Sequence, residues 1–264
     1  QCDHCHATSS PWGAKGLATG ELEKIADALI ESQVFRVDFC GGEPTLRKEL
    51  GELARKCYEG GVSPVLSTNG YFLEKIKEIL PYLTVLQVSL DSIEKSQHDT
   101  FRRLKNSWVN AVETIEYFSH RVPTRVFTTL SRMNVDRIED LTDFLFNLGV
   151  QEHQYLRYVP SGRGKDFADI YALSESRYQD AKNRIAGLGD KYKGRMVIEC
   201  IDLARNNSSY MLVREEGNLV TLATDAFEYV TLGNLINDKL RQLWKDPRIN
   251  RAGHMHLWTD QSYF

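Results

Sequence analysis

The sequence predicts an α/β fold, a parallel sheet interleaved with helices, followed by a small α+β appendage. Three observations predict it. Short β-prone runs alternate with amphipathic helical runs at a spacing of roughly 20 to 40 residues, as βαβ units do. The hydrophobic runs end in polar, glycine-bearing turns, among them Gly41-Gly42 and Thr68-Asn69-Gly70. Beyond Gly189 the alternation gives way to short strands separated by Gly and Asn turns, which divides the chain into a core over 1–189 and an appendage over 190–264.

The elements follow in order. Ala7 to Gly20 is polar and glycine-bearing and reads as a loop. Glu21 to Gln33 reads as a helix, because Leu22, Ile25, Ala26, Leu29 and Ile30 recur at the i, i+3, i+4 spacing. Val34 to Phe39 is a β-prone run stopped by Gly41-Gly42. Lys48 to Glu59 is a second helix, with Leu50, Leu53, Ala54 and Cys57 on one face and Gly60-Gly61 as its stop. Strands follow at Val62 to Ser67 and Thr84 to Leu90, with a helix from Tyr71 to Leu80 between them. A helix over Ser107 to Phe118, a strand over Thr124 to Leu130 and a helix over Asp136 to Asn147 continue the series. The strand Gln154 to Val159 runs into Pro160-Ser161-Gly162-Arg163-Gly164, and a helix from Ser174 to Leu188 closes it, with Ser174 as N-cap.

Five strands are visible in the core. The chain opens in a loop leading into a helix and starts with Gln inside a motif, so it reads as a fragment with a sixth strand upstream of Gln1. In the appendage, Met196 to Cys200, Tyr210 to Val213, Leu219 to Leu222 and Glu228 to Thr231 are strand candidates. A helix over Asp238 to Trp244 and an aromatic, histidine-bearing tail follow. Right-handed crossovers would wind the core into a doubly wound sheet or an incomplete barrel. Either way the polar strand ends gather on one rim, where parallel α/β proteins bind ligands. Cys2, Cys5, Gly41-Gly42-Glu43, Thr68-Asn69, Ser89, Asp91, Arg157 and the Gly162-Arg163-Gly164 turn fall on that rim.

Composition narrows the function. With 26% charged residues and a net charge of −3, the chain carries no polyanion-binding signature, so no nucleic-acid partner is expected. No apolar run approaches the roughly 18 residues a membrane span needs, so no membrane association is expected. Five cysteines scattered through an α/β chain argue against a disulfide scaffold and for a reducing cytoplasm. Cys40 and Cys57 read as small buried hydrophobes.

Cys2-Asp3-His4-Cys5 is a C-x-x-C pair, which alone fits half of a zinc site, a redox dithiol or part of an iron–sulfur site. Further motifs follow in order: Cys40-Gly41-Gly42-Glu43-Pro44-Thr45-Leu46-Arg47, Ser67-Thr68-Asn69-Gly70 and Val88-Ser89-Leu90-Asp91.

As an ordered set over residues 1–170, these motifs resemble the radical S-adenosylmethionine (radical SAM) enzymes. Cys2 and Cys5 match the second and third cysteines of that family's C-x-x-x-C-x-x-C signature, and the first would fall three residues before Gln1. The resemblance implies a partial (β/α)6 TIM-like barrel whose first strand precedes the sequence. It also implies a 4Fe–4S cluster and S-adenosylmethionine as cofactors, with Cys2 and Cys5 as catalytic metal ligands. Three thiolates leave one iron open for the amino and carboxylate groups of S-adenosylmethionine. An electron from the cluster then cleaves it to methionine and a 5′-deoxyadenosyl radical, which abstracts a substrate hydrogen.

By the same resemblance, cofactor contacts fall at Gly41, Gly42, Glu43, Pro44, Thr68, Asn69, Ser89, Asp91, Arg102 and Arg157. Gly41-Gly42 would admit the methionine moiety, and carbonyls there, with Glu43, would accept from its ammonium. Ser89 and Asp91 would bind ribose hydroxyls, and Arg102 or Arg157 would pair with the carboxylate. His4 and His6 would shape the cluster loop.

The run Leu156 to Gly164 is similar to that of relatives carrying a C-terminal SPASM or twitch extension, several of which modify ribosomal peptides or build cofactors. Glu216 to Val220, Leu232 to Leu235 and Leu240 to Trp244 echo that extension. There are departures. Thr221-Leu222 stands where a Pro-Cys is expected, and Cys200 is the only cysteine after Cys57, so this segment is not expected to bind auxiliary clusters. Arg103 and Asn106 replace glycines expected near Arg102. The leading expectation is a radical SAM enzyme acting on a peptide or small cofactor precursor, supplied with electrons by a flavodoxin- or ferredoxin-type donor. The alternatives are a cluster-free member of the fold that binds a peptide or partner, and an unrelated α/β protein with a zinc or redox site.

Overall fold

The computed structural model describes residues 2–5, 16–202, 211–222 and 229–249. The expectations placed on His6, on 7–15 of the loop, on Tyr210 and Glu228, and on the tail after 249 lie outside the described residues.

Helix α1 (Thr19–Glu31) leads into strand β1 (Arg36–Phe39), and α2 (Leu50–Glu59) into β2 (Ser63–Thr68). After α3 (Leu73–Ile79) and β3 (Val85–Ser89) come two helices, α4 (Lys95–Arg102) and α5 (Ser107–Phe118). The core continues with β4 (Thr124–Leu130), α6 (Ile138–Asn147), β5 (Glu152–Arg157), the short α7 (Ala168–Tyr171) and α8 (Glu175–Lys191). Strand β6 (Val197–Ile201) follows. Ser174 caps α8 as expected, its hydroxyl accepting the Arg177 N–H at 3.3 Å.

All six strands pair in parallel in the order of the chain, β1-β2-β3-β4-β5-β6. Right-handed crossovers that always step the same way put every helix on one face. That decides between the two windings left open by the sequence: the sheet is a partial barrel, with its crossover helices on the outer face. Strand β4 shows the two faces directly. Thr124, Val126, Thr128 and Leu130 are buried toward the helices, and Arg125, Phe127 and Thr129 are half-buried on the concave side. Leu66, Leu86, Val88, Val126, Ile115, Phe118 and Ile138 form the core between sheet and helices.

One strand differs from its sequence assignment. The strand expected in the appendage at Met196 to Cys200 runs over Val197–Ile201, pairs with β5 from Glu152↔Val197 to Leu156↔Ile201 and completes the large sheet. The 17-residue helix α8 supplies the crossover that returns it in parallel. The remaining strands, β7 (Met211–Val213), β8 (Asn218–Leu222) and β9 (Tyr229–Asn234), form an antiparallel sheet, followed by α9 (Leu240–Leu243). Leu219, Leu232, Leu235, Leu240 and Ile249 of this appendage pack with Ile25 of α1, against Leu17, Leu29 and Val34. Cys57 is buried as expected, whereas Cys40, just past the end of β1, is exposed. No helix among the described residues is long and apolar enough to cross a membrane.

Candidate active site

The carboxyl ends of the strands carry the site. Strand β1 ends at Phe39, and Gly41 turns the chain at φ +123°, a conformation that strongly favours glycine. A Cβ built there would meet nothing within 4 Å, so the turn faces open space. Pro44 then opens a 3₁₀ turn, where its fixed φ fits and its missing N–H leaves no donor unpaired. Glu43 ties this turn to the next strand. Its Oε1 accepts from Thr45 N at 3.2 Å, Thr45 Oγ1 at 2.5 Å and Thr68 Oγ1 at 2.7 Å, and its Oε2 accepts from Asn69 N at 2.8 Å. Asn69 in turn accepts from Tyr71 N at 2.8 Å. Glu43, Thr68 and Asn69 therefore shape the rim through bonds to one another.

Ser89 stands half-buried at the end of β3, and its hydroxyl makes no hydrogen bond among the described residues. Asp91, two residues on, does not face the rim. It has 0% exposure, its Oδ2 accepts from Arg102 Nε at 2.7 Å and its Oδ1 accepts from Thr129 N at 2.8 Å. The ribose contact expected of Asp91 is thereby corrected: a carboxylate sealed from solvent and already bonded orients Arg102 instead. Burial alone would raise its pKa, but Arg102 overrides burial and holds it at about 2.

Arg102 is 9% exposed at the end of α4. Burial opposes its charge, yet Asp91 and then the Cys2 thiol, with Glu43 contributing, raise its pKa. Its guanidinium thus lies within electrostatic reach of Cys2 and of Glu43. Among the described residues neither terminal nitrogen is hydrogen-bonded to protein, so a donor pair remains for a ligand. Arg157 is corrected too. Its Nη1 pairs with Asp202 at 3.0 Å and its Nη2 with Glu175 at 2.7 Å, while the guanidinium lies 4.2 Å from the Tyr178 ring centre. Both of its terminal nitrogens are thereby engaged by carboxylates of the chain itself.

Cys2 and Cys5 share one tight turn, closed by Cys5 N donating to Cys2 O at 3.2 Å, and both are half-buried and outside any disulfide. Asp3 N donates to Phe101 O at 3.0 Å, and the His4 ring stacks on Phe101 at 4.2 Å. The buried Asp3 carboxylate pairs with Arg103 and accepts from Tyr171 Oη at 3.1 Å. Arg103 (φ 51°) and Asn106 (φ 62°) both occupy the left-handed region, so the positions where glycines were expected do have a glycine-type backbone. No sequence pattern marks the convergence of Phe101, Arg103 and Tyr171 on the cysteine turn, because they are spread from 101 to 171, whereas the turn that holds Arg163 was expected on the same rim.

The concave face carries a further feature that the period-two pattern could have indicated. Ser67 donates to Asp38 at 2.9 Å, and the Gln87 amide nitrogen bonds Asp38 at 2.7 Å. Arg125 then donates to Gln87 Oε1 at 2.6 Å and pairs with Glu152 at 2.6 Å. Gln154 joins Glu152 to Glu199, the latter at 3.4 Å. One polar chain therefore crosses all six strands under the rim. Burial raises the pKa of both Asp38 and Glu199.

The donor set fits an iron–sulfur cluster at two of the three thiolate positions that the resemblance implies. The open space at Gly41 and the unbonded end of Arg102 fit the methionine part of S-adenosylmethionine. Among the described residues no group of three or more His, Cys, Asp or Glu converges as a metal site.

A family model described as the Radical SAM superfamily matches residues 1–145. The chain is 22% identical over 276 residues to the antilisterial bacteriocin subtilosin biosynthesis protein AlbA of Bacillus subtilis, covering 99% of this chain and 59% of that protein. Mycofactocin maturase MftC of Mycolicibacterium smegmatis is 30% identical over 186 residues, covering 67% of this chain and 46% of that protein. The chain thus spans about half of the length of these curated relatives. Among solved structures, Streptococcus suis SuiB bound to S-adenosylmethionine matches with a TM-score of 0.73 at 15% identity, over 96% of this chain and 64% of that one. SuiB bound to its precursor peptide SuiA matches with a TM-score of 0.71 at 15% identity, over 96% and 63%.

Proposed function

The chain belongs to the radical SAM superfamily, and we propose that it forms the cofactor-binding core of an enzyme that abstracts hydrogen from a ribosomal peptide or cofactor precursor during maturation. When bound, a 4Fe–4S cluster supplies the electron that cleaves S-adenosylmethionine reductively to methionine and a 5′-deoxyadenosyl radical. The chain's own residues bind and orient. Cys2 and Cys5 donate thiolates. The Gly41-Gly42 backbone admits the methionine moiety, and its carbonyls accept from the ammonium. Arg102, held by Asp91, pairs with the carboxylate through its two unbonded nitrogens, a match suited to a planar guanidinium. Ser89 is the ribose contact.

The observation that carries the reading is the unbonded end of Arg102, within electrostatic reach of Cys2 and of the Gly-Gly-Glu turn. Peptide substrates are supported by the names of the relatives, a bacteriocin biosynthesis protein and a mycofactocin maturase, and by SuiB's complex with a precursor peptide. A substrate would lie over the concave face, whose polar chain offers partners for a peptide backbone or polar side chains. A cytoplasmic flavodoxin or ferredoxin would supply the electron.

The test is anaerobic reconstitution of the full-length protein with iron and sulfide, followed by an assay of 5′-deoxyadenosine from S-adenosylmethionine under reduction. About four irons per chain are expected for one cluster, with nucleoside formation lost in Cys5→Ala and weakened through a raised KM in Arg102→Lys. A folded protein that takes up no iron and makes no nucleoside would overturn the proposal.

A further inference from the structure

The Gly162-Arg163-Gly164 turn lies next to the cysteine pair although it is 161 positions away from Cys2. Arg163 bonds both cysteines. Its backbone N–H donates to Cys5 O at 3.0 Å, and its Nη1 donates to Cys2 O at 3.0 Å. One residue thus holds the two ends of the C-x-x-C turn, one by main chain and one by side chain.

The turn around Arg163 is built for close approach. Gly162 has φ +52°, in the left-handed region. A Cβ on Gly164 would stand 3.1 Å from Val159 O, 3.4 Å from Tyr158 Oη and 3.5 Å from His4 O, so the position abuts the cysteine loop itself. Tyr158, buried beneath, donates to Gly164 O at 2.6 Å and fixes the turn from below. On the opposite side the loop rests on Phe101 through the Asp3 N–H and the His4 ring. The loop is therefore gripped between the end of α4 and the segment after β5.

We propose that Arg163 is a positioning residue for the cluster: it clasps the Cys2–Cys5 turn and sets the relation of the two thiols to each other. The inference rests on the proposed cluster-binding role of those cysteines. A residue that orients metal ligands from outside the coordination sphere typically changes metal affinity by about 10- to 100-fold when removed. Lysine would keep the charge but lose the rigid planar fork that lets guanidinium nitrogen reach Cys2 O while the backbone reaches Cys5 O.

The experiment uses the full-length protein with Arg163→Ala, Arg163→Lys and Gly164→Ala, reconstituted anaerobically. Three properties are compared with wild type: iron and sulfide content, the rate at which an iron chelator bleaches the cluster, and the electron paramagnetic resonance spectrum of the reduced cluster with and without S-adenosylmethionine. Thermal unfolding of each apoprotein reports folding independently. Chelation at least about 10-fold faster in Arg163→Ala, with an altered spectrum, is expected. Arg163→Lys should fall between, and Gly164→Ala should show the defect with the guanidinium still present. Wild-type iron content, chelation rate and spectrum in a folded Arg163→Ala would overturn the clasp while leaving the cofactor reading intact. Loss of the cluster only in step with loss of apoprotein folding would overturn it as well, by making the residue a general stabiliser. A wild-type protein that takes up no iron removes both proposals.

Discussion

Asp91 and Arg102 are a buried ion pair whose members depend on each other. Asp91 offsets the desolvated guanidinium, and removing one partner of such a pair leaves an uncompensated charge, at a cost of about 3–5 kcal/mol. Asp91→Asn should therefore lower stability by that order in denaturant unfolding. It should also raise the KM for S-adenosylmethionine, because Arg102 loses the bond that aims it. A variant with unchanged stability would show that the pair contributes little. At this scale the sequence reached some residues and missed others. The rim positions of Cys2, Cys5, Gly41 and Glu43 were legible because an ordered set of motifs at strand ends marks them. The roles of Asp91 and Arg157 were not, because whether a carboxylate or guanidinium faces a ligand depends on partners far along the chain: Arg102 and Thr129 for the first, Glu175 and Asp202 for the second.

Among the elements, the junction of β1 and β2 depends on one carboxylate. Glu43 accepts four hydrogen bonds from Thr45, Thr68 and Asn69. In Glu43→Gln the amide nitrogen would turn a donor toward donors on one side, and bonds to a charged acceptor are worth about 1.5–3 kcal/mol each. A loss of about 2 kcal/mol in unfolding free energy is expected, together with weaker S-adenosylmethionine binding by calorimetry. Helix α4, like the short α7, is an element that sequence periodicity did not reveal. Its buried residues are His98, Phe101 and Arg102, a mostly polar set in a short segment, so no apolar stripe marks it. Strand Val197–Ile201 was visible but misplaced: its turn-rich surroundings resemble the appendage, and only its register with β5 assigns it to the barrel.

For the molecule as a whole, strand alternation made the fold class legible, whereas the one-way strand order that leaves a concave face became visible only in the pairing. The same core sets a pH dependence. Burial lowers the pKa of His98 to about 4 and of His153 to about 3. His98 Nδ1 accepts the Asp91 N–H at 3.1 Å, and His153 lies with Thr128 at 2.9 Å, so both are packed as neutral rings. An unfolded histidine takes up its proton near 6.5, so below that pH the unfolded chain binds more protons and stability falls as pH falls, levelling off below the folded pKa values. Each ring contributes a slope of about 1.4 kcal/mol per pH unit in this window. Denaturant unfolding between about pH 7 and pH 5 should show that decline, shallower by one proton in His153→Gln. Equal slopes in the two proteins would remove His153 from the account.

The distance between Arg163 and the cysteines it bonds also has a consequence in time. During synthesis the cysteine turn leaves the ribosome first, and its clasp follows 161 residues later. At about 5–20 residues per second that interval is roughly 8–30 s. For that period the two thiols stand on a loop that Arg163 does not yet hold, while five of the six strands, β1 to β5, are being made behind them. On the proposed cluster-binding role of the cysteines, secure insertion waits for the arrival of β5 and the turn that follows it. A stray metal or oxidant would meet those thiols before Arg163 fixes their turn.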